Sequence, residues 1–458
     1  MTSEKAQEGT QRFVHNLLSF VHVILVAALF LAGSIQSLAY SESSTSEETP
    51  LTLSQLVSIA LRRNLRGVDA GLAIEEKEHS RRAALSHFFP TIDVNYSATW
   101  YRYMQGSYIG AFSAALPSLD PFSNYSASVS VTQPIFSGGK PTADYSRAKL
   151  SVMHSGLQYE VDRQNLILDV TTAYYRLVQA ETLLKVANAS IIALEAVLKR
   201  ARSLFKEGMN FRVDVLAAEG QIAQTRSARS KAVADIDKAK ASLNFLLRNP
   251  QRTPIKVTHD FDYRPHPYKE PATFSIALAN RAEIRQSEID VRSAETQIKS
   301  VSADLLPNIK LQIQGIRTNG DWNVFDPHAM NDWSLQGIFG WSFDTFQRNE
   351  SVKERRVAYA RTITKREQSL EQIMEDVAKA YTDVKRAESD IGNNRMAVQY
   401  RKENFRINRS RYNEKMATYI EVLEAERQLF QAEADYYGSL IEYRLNLAAL
   451  ERKMGVLR

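Results

Sequence analysis

The chain contains no cysteine. That excludes disulfides, thiolate metal sites, cysteine nucleophiles and the lipid anchor that bacterial lipoproteins carry on a cysteine. Its eight histidines are scattered, His15 and His22 lie in the N-terminal apolar stretch, and no pair has metal-ligand spacing on one helix. A glycine-rich phosphate loop and a nucleophile elbow are both missing. The sequence therefore offers no catalytic residue and no cofactor site, and any energy its function needs must come from a partner. Charge of one sign does not dominate either: 58 basic residues stand against 52 acidic ones, for a net +6. The two signs are interspersed rather than gathered into a basic face, which argues against a nucleic-acid partner.

Proline and glycine are missing from Leu157 to Glu207. In that window apolar residues recur in alternating steps of three and four: Val170, Ala173, Leu177, Ala180, Leu184, Ala187, Ile191, Leu194, Leu198, Ala201, Phe205. This is a heptad seam, the period of helices that supercoil around a partner. A helix of roughly 65 residues from Pro141 would extend on the order of 100 Å.

Residues 1–39 have the layout of a secretory signal: Lys5 and Arg12, an apolar run from Leu17 to Leu31, and Ser37-Leu38-Ala39 as a cleavage site before Tyr40. An N-terminal membrane anchor is the other reading of the same run. After a Ser/Thr/Glu-rich leader, Leu51–Ser86 has helical periodicity, ended by Phe88-Phe89-Pro90. The period then changes to two. Ile92, Val94, Tyr96, Ala98 and Trp100 alternate with polar residues, and so do Tyr125, Ala127, Val129 and Val131. Each run is long enough for a tilted transmembrane strand of ~9–11 residues. Gln133-Pro134-Ile135-Phe136-Ser137-Gly138-Gly139 ends the strand and Pro141 opens the long helix. A turn at Glu207–Asn210 leads into a return helix, Arg212–Leu247, and five prolines make 248–272 a linker.

The pattern then repeats. Ser58-Ile59-Ala60-Leu61 returns as Ser275-Ile276-Ala277-Leu278, and Phe88-Phe89-Pro90-Thr91-Ile92 as Leu305-Leu306-Pro307-Asn308-Ile309, both 217 residues on. Val213-Asp214-Val215-Leu216 returns 207 residues on as Ile420-Glu421-Val422-Leu423. New strands follow Ile309 and Trp333, and long helices cover about Asn349–Asn413 and Tyr419–Met454. Two steady offsets indicate an internal duplication. The expected segments are 1–39 (signal), 40–90 (leader and first helix), 91–135 (transmembrane strand pair), 136–247 (helical hairpin), 248–272 (linker), 273–307 (first helix of the second repeat), 308–345 (second strand pair) and 346–458 (second hairpin). All four tryptophans, at 100, 322, 333 and 341, fall in the strand-and-loop segments. Trp100, Trp333 and Trp341 suit an aromatic girdle, though aromatics are also enriched in strands generally.

Four strands cannot close, and an open edge cannot sit in hydrocarbon with its N–H and C=O groups bare. Two, three or four copies would pool eight, twelve or sixteen strands. A barrel continued by coiled helices is a conduit.

With the two strand pairs, the Gln133–Gly139 junction and the duplicated segments Gly208…Val213–Ala218 and Tyr412…Ile420–Ala425, the chain resembles the outer-membrane efflux protein family. These are the TolC-like exit ducts of Gram-negative outer membranes, and the resemblance covers nearly all of 51–454. It implies a mixed, mainly α fold: a homotrimer whose long antiparallel coiled helices form a periplasmic α-barrel under a twelve-strand β-barrel in outer-membrane lipid. It further implies a tip closed at rest, a periplasmic adaptor (membrane fusion protein) and an inner-membrane pump of RND or ABC type, serving efflux or type I secretion. By the same resemblance Glu421 and Glu424, on one helix face, form a carboxylate ring at the periplasmic constriction. Three copies would raise those carboxyl pKa values through like-charge repulsion. Tyr412 would help hold the closed tip, Gly208 and Lys415 mark the tip turns, and Pro134, Gly138 and Gly139 the strand–helix junction. The alternative for Glu421 and Glu424 is a pair of solvated charges partnered by Arg427 or Gln428. The sequence departs from the family at Phe343–Asn349, which lacks a second Pro-and-Gly junction, and at Lys415, where the first half has Gly208. Both places are expected to be shaped differently, the second turn less sharply.

The second seam reads Val377, Ala380, Val384, Ala387, Ile391, Asn394, Val398, Arg401, Phe405, Asn408, Tyr412, so polar residues enter towards the tip. That end is expected to open more easily. His259, Asp260, Asp262 and His266 cluster in the linker, either as a solvated connector or as a metal site. The rival to a duct is a secreted trimeric coiled-coil spacer or adhesin.

Overall fold

A computed structural model describes residues 50–101, 122–209, 211–260, 262–342, 344–414 and 416–458. The signal, most of the leader, Phe343 and Lys415 lie outside the described residues. In chain order the elements are α1 (Leu53–Arg63), α2 (Leu65–Ser86), β1 (Thr91–Tyr101), β2 (Phe122–Ser137), α3 (Lys140–Lys206), α4 (Arg212–Leu247), α5 (Glu270–Asn280), α6 (Ala282–Ser302), β3 (Asn308–Asn319), β4 (Met330–Gly340), α7 (Thr345–Asn413) and α8 (Tyr419–Met454).

The sequence predicts one helix before each strand pair, and the structure shows two. Asn64 (φ −68°, ψ 135°) separates α1 from α2, and Arg281 (φ −64°, ψ 124°) separates α5 from α6. These residues are 217 apart, so the break itself is duplicated. Neither break involves proline or glycine. Each residue's N–H still donates to the carbonyl four back, Ala60 or Ala277, and only its ψ leaves the helix. Asn64 accepts from the Arg66 N–H at 2.9 Å and donates to Leu246 O at 2.9 Å. Arg281 instead enters a buried ionic cluster with Glu283, Arg452, Asp376 and Lys453.

The strands form one antiparallel sheet in the order β1-β2-β3-β4, with β1 and β4 as free edges among the described residues. Registered rows such as Ile92–Val131–Ile313–Leu335 and Val94–Val129–Gly315–Trp333 make one face mainly apolar, with Arg317 and Asn331 entering it in the next row. Rows such as Thr91–Thr132–Gln312–Gln336 and Asp93–Ser130–Gln314–Ser334 make the other mainly polar, with Ile316, Ile338 and Met330 among its exceptions. The strand expected to end at Gln133-Pro134 continues to Ser137. A bulge between Pro134 and Phe136 accommodates the proline, whose missing N–H removes one ladder bond.

Sheet and helices meet at the short turn Ala303–Leu305. The Asp304 carboxylate takes Lys140, at the start of α3, at 2.8 Å, and its carbonyl accepts from Arg348, near the start of α7. Gly138 (φ 61°) packs so closely that a Cβ there would lie 2.6 Å from Ala303 O. Gly139 (φ 85°) then precedes α3, whereas Asp344 (φ −74°, ψ 60°) precedes α7. The two junctions therefore differ in backbone as well as in sequence.

α3 pairs with α4 and α7 with α8, and the two hairpins meet where α8 packs on α3. The first seam is buried at Val170, Ala173, Leu177, Ala180, Ala187, Leu194 and Ala201, while Phe205 at its end is exposed. The linker is not merely a solvated connector. Leu51 forms a parallel bridge with Val257, and Ile255 and Val257 are buried against α1, α3 and α4.

Candidate functional site at the hairpin tips

At the end of α3, Gly208 takes φ 71°, the left-handed conformation that glycine adopts without penalty. The Met209 N–H reaches back to Leu204 O at 2.9 Å and the Gly208 N–H to Phe205 O at 3.0 Å, a Schellman closure. The second turn closes with the same long bond, Met416 N–H to Arg411 O at 2.7 Å, 207 residues on. The looser turn expected from Lys415 is not seen in that closing bond.

The return helices start alike. In α8, Thr418 accepts from the Glu421 N–H, and Glu421 Oε1 accepts from the Thr418 N–H (3.3 Å) and hydroxyl (2.8 Å). This is a complete capping box. In α4 only half of it exists: Asp214 accepts from the Phe211 N–H at 3.4 Å, but Phe211 has no side-chain oxygen, and the Asp214 N–H goes to the Phe211 carbonyl at 3.1 Å instead. Glu421 is thus held in place by the start of its own helix. Its carboxyl lies below the usual range because it accepts from Thr418.

Glu424 is paired as well. It binds Arg427 through two bonds, 2.9 and 2.5 Å, and accepts from Gln428 Nε2 at 2.7 Å. The Arg427 bond first, then that from Gln428, lower its carboxyl to about 2. Within one protomer both carboxyls are therefore pulled down rather than up. Glu421 and Glu424 share an exposed face of the first turns of α8.

Tyr412 is buried and meets Tyr419 edge-on, ring centroids 5.6 Å apart. Around them Val197, Ala201 and Leu204 of α3, Ala218 of α4, Phe405 of α7 and Val422 and Ala425 of α8 form one apolar cluster binding both hairpins near the tip. Burial, and then Tyr412 and Asp214, push the Tyr419 hydroxyl well above its ordinary pKa. Beyond the cluster Met209, Phe211, Val213, Met416 and Ile420 are exposed, Phe211 at 79 %.

The polar seam residues of α7 are matched one by one. Asn394 donates to Asp435 O at 3.4 Å, Arg401 to Gln428 Oε1, and Asn408 to Asn404 O at 3.0 Å. Two residues outside the sequence expectations stand out. α8 has its own heptad seam, Tyr419, Val422, Glu426, Leu429, Glu433, Tyr436, Leu440, Tyr443, and it places Glu426 and Glu433 among apolar residues. That period was the available signal for them. Glu426 is buried between the hairpins against Ser190.

Elsewhere, Trp100 and Trp333 sit exposed towards the far ends of β1 and β4, and Trp341 just past the near end of β4, donating to Leu305 O at 3.2 Å. Pro134, Gly138 and Gly139 lie at the base of the sheet, away from the tip. The linker residues do not converge. His259 faces Glu181 of α3 at 2.9 Å and His266 faces Glu388 of α7 at 4.0 Å, and no group of metal-ligating side chains assembles among the described residues.

Comparison with known proteins fits this geometry. TolC of Escherichia coli K12 is 22 % identical over 352 residues, 72 % of this chain and 69 % of TolC. The CmeC outer membrane channel of Campylobacter jejuni superposes with a TM-score of 0.78 at 16 % identity, covering 92 % of this chain and 90 % of CmeC. The open state of the Neisseria gonorrhoeae MtrE outer membrane channel gives 0.73 at 17 % identity, over 93 % and 96 %. The profile of the family described as outer membrane efflux protein matches residues 56–248 and 273–456, nearly all of both repeats. The chain belongs to the outer membrane efflux protein family, channels of the outer membrane that extend into the periplasm.

Proposed function

We propose that three copies of this chain form an exit duct that carries substrates from an inner-membrane pump across the periplasm and outer membrane. The observation that carries this reading is the sheet. Its strands are 11 to 16 residues long, one face is apolar, the other is lined by hydroxyls and amides, and both edges are free. Such a sheet is suited to lipid on one side and water on the other only when its edges are joined to other copies. Three copies give the twelve strands that the family resemblance implies.

The duplication supports the same assembly. α6 lies between α3 and α7 within the protomer, burying Ala282 and Ile289. Their counterparts on α2, Leu65 and Leu72, are exposed with Val68, because among the described residues α2 has α3 on one side and no second long helix on the other. The long helix α7 of a neighbouring copy fits that vacant side. The exposed apolar tip residues suit a periplasmic adaptor, and a seam interrupted by Asn394, Arg401 and Asn408 suits a second hairpin that moves to open the tip. In that assembly Glu421 and Glu424 form the constriction ring, with Tyr412 beneath it.

Conductance in planar bilayers tests this. The extracted protein should migrate as a heat-sensitive trimer and give small cation-selective currents. Glu421→Gln with Glu424→Gln should reduce the cation selectivity while glutamine preserves the capping box. Unchanged selectivity would remove the ring, and failure to insert would remove the duct.

A further inference from the structure

About two turns into α8, the packing of one hairpin on the other encloses a carboxyl group. Glu426 is 3 % exposed. Its Oε1 accepts a hydrogen bond from the hydroxyl of Ser190 on α3, itself buried, and its Oε2 is enclosed with no hydrogen-bond partner. Neighbouring positions on the two helices are apolar: Leu194 and Val197 on α3, Val422, Ala425 and Leu429 on α8.

Among the described residues no cation neutralises it. On α4, Arg226 is held by Glu195 at 3.1 Å and Arg229 by Asn188 at 2.9 Å. On α7, Arg401 is held by Gln428, and Lys402 acts on Glu433. From α3 the facing group is the neutral Ser190, and on α8 itself the charge bearing on Glu426 is that of Glu433, of like sign. Burial raises the Glu426 carboxyl above its ordinary range, the Ser190 bond pulls it back, and Glu433 raises it further. A charged carboxylate with one bare oxygen in an apolar seam is far more costly than a neutral acid in the same place.

The counterpart in the first repeat shows that this is a particular arrangement. Glu219 stands 207 residues before Glu426, yet it is half-exposed and paired with Arg202 at 2.5 Å. The counterpart of Ser190 is Ala397, which has no hydroxyl. Of these two duplicated positions, the one where α8 meets α3 brings hydroxyl and carboxyl together.

We propose that Ser190 and Glu426 form a proton-operated latch between the two hairpins. The neutral acid keeps α8 packed on α3. When its proton leaves to water, the remaining charge has only the neutral Ser190 hydroxyl to meet it in the seam, and the helices part to hydrate it. Acid therefore favours the closed pairing and rising pH favours its release. The proposal rests on the duct reading only for what this parting opens.

The absence of native cysteine allows a direct test in the full-length protein. Spin labels on Lys199→Cys and Gln431→Cys report the α3–α8 separation by double electron–electron resonance. The distance should lengthen as pH rises. Glu426→Gln, a mimic of the neutral acid, should hold it short at every pH, and Ser190→Ala should increase the long-distance population at every pH. A separation that does not respond to pH, or a pH response that survives in Glu426→Gln, would overturn the latch. If Glu426→Gln fails to fold, Ser190→Ala decides the matter, and a long-distance population no larger than the parent's would overturn the latch. Bilayer conductance is recorded alongside: a distance change with no change in conductance supports the latch and removes the gate reading instead.

Discussion

Leu194 in α3 and Arg401 in α7 occupy the same seam position, 207 residues apart. Leu194 is fully buried, while Arg401 reaches sideways to Gln428. The joints at the bases of the hairpins contrast in the other direction. In the first repeat Asn64 bonds a backbone carbonyl, and the neighbouring Arg66–Asp169 pair is exposed, 55 % and 46 %. In the second, the corresponding Arg281, Glu283 and Asp376 join Arg452 and Lys453 in a largely buried cluster. The first hairpin is thus apolar along its length and polar at its joint. The second is ionic at its joint and increasingly polar along its length. Duplication preserved the backbone plan, and the chemistry that holds each copy has moved apart.

The largest expected effect is in the seams. Leu194→Ala should destabilise the protein by ~2–5 kcal/mol, as full burial of a leucine implies. Arg401→Ala, at the same position of the other hairpin, should cost about 1 kcal/mol or less. Guanidinium midpoints at constant slope measure both, and equal losses would erase the distinction between the seams.

The joints differ in their response to acid. Burial works against the charge of Glu283, but the bonds and charge of Arg281 and the charge of Arg452 outweigh it and lower the carboxyl to about 2. A depressed carboxyl stabilises the fold above its ordinary value of 4.5, and that stability is lost as pH falls from there towards 2. The loss is on the order of 3 kcal/mol. Glu283→Gln should flatten that acid limb. Asp169→Asn should leave it nearly intact, because an exposed pair contributes roughly 0–1 kcal/mol. Denaturant midpoints followed against pH check this.

The caps give the smallest difference. Thr418→Ala should cost about 1 kcal/mol, whereas Phe211→Thr should complete the half-made box and stabilise the first tip by a similar amount. Hydrogen-exchange protection in the first turns of α4 and α8 reports each change.

Much of this was legible because it is periodic. The α3 seam and the strand alternation repeat over many residues, so no single substitution obscures them. The breaks at Asn64 and Arg281 were not, because one rotated ψ leaves no compositional trace. The tip was legible in its parts and not in its pairing: spacing places Glu421 and Glu424 on one face, but Thr418, Arg427 and Gln428 decide which charge is already engaged. Glu426 was hidden differently. Its seam is as regular as that of α3, and a carboxylate in it is conspicuous only once the whole α8 period is laid out.

Gly138 against Ala303 bears on the order in which the chain can fold. A ribosome delivers residue 138 long before residue 303, and α3 must likewise wait for α6 and α8. The first repeat therefore emerges with its glycine junction and one side of its longest helix uncovered, while α4 already covers the seam. Contacts this distant in sequence form late, after the loop between them has closed. The side of α3 that α6 and α8 later cover is, until the second repeat arrives, the surface most in need of a chaperone.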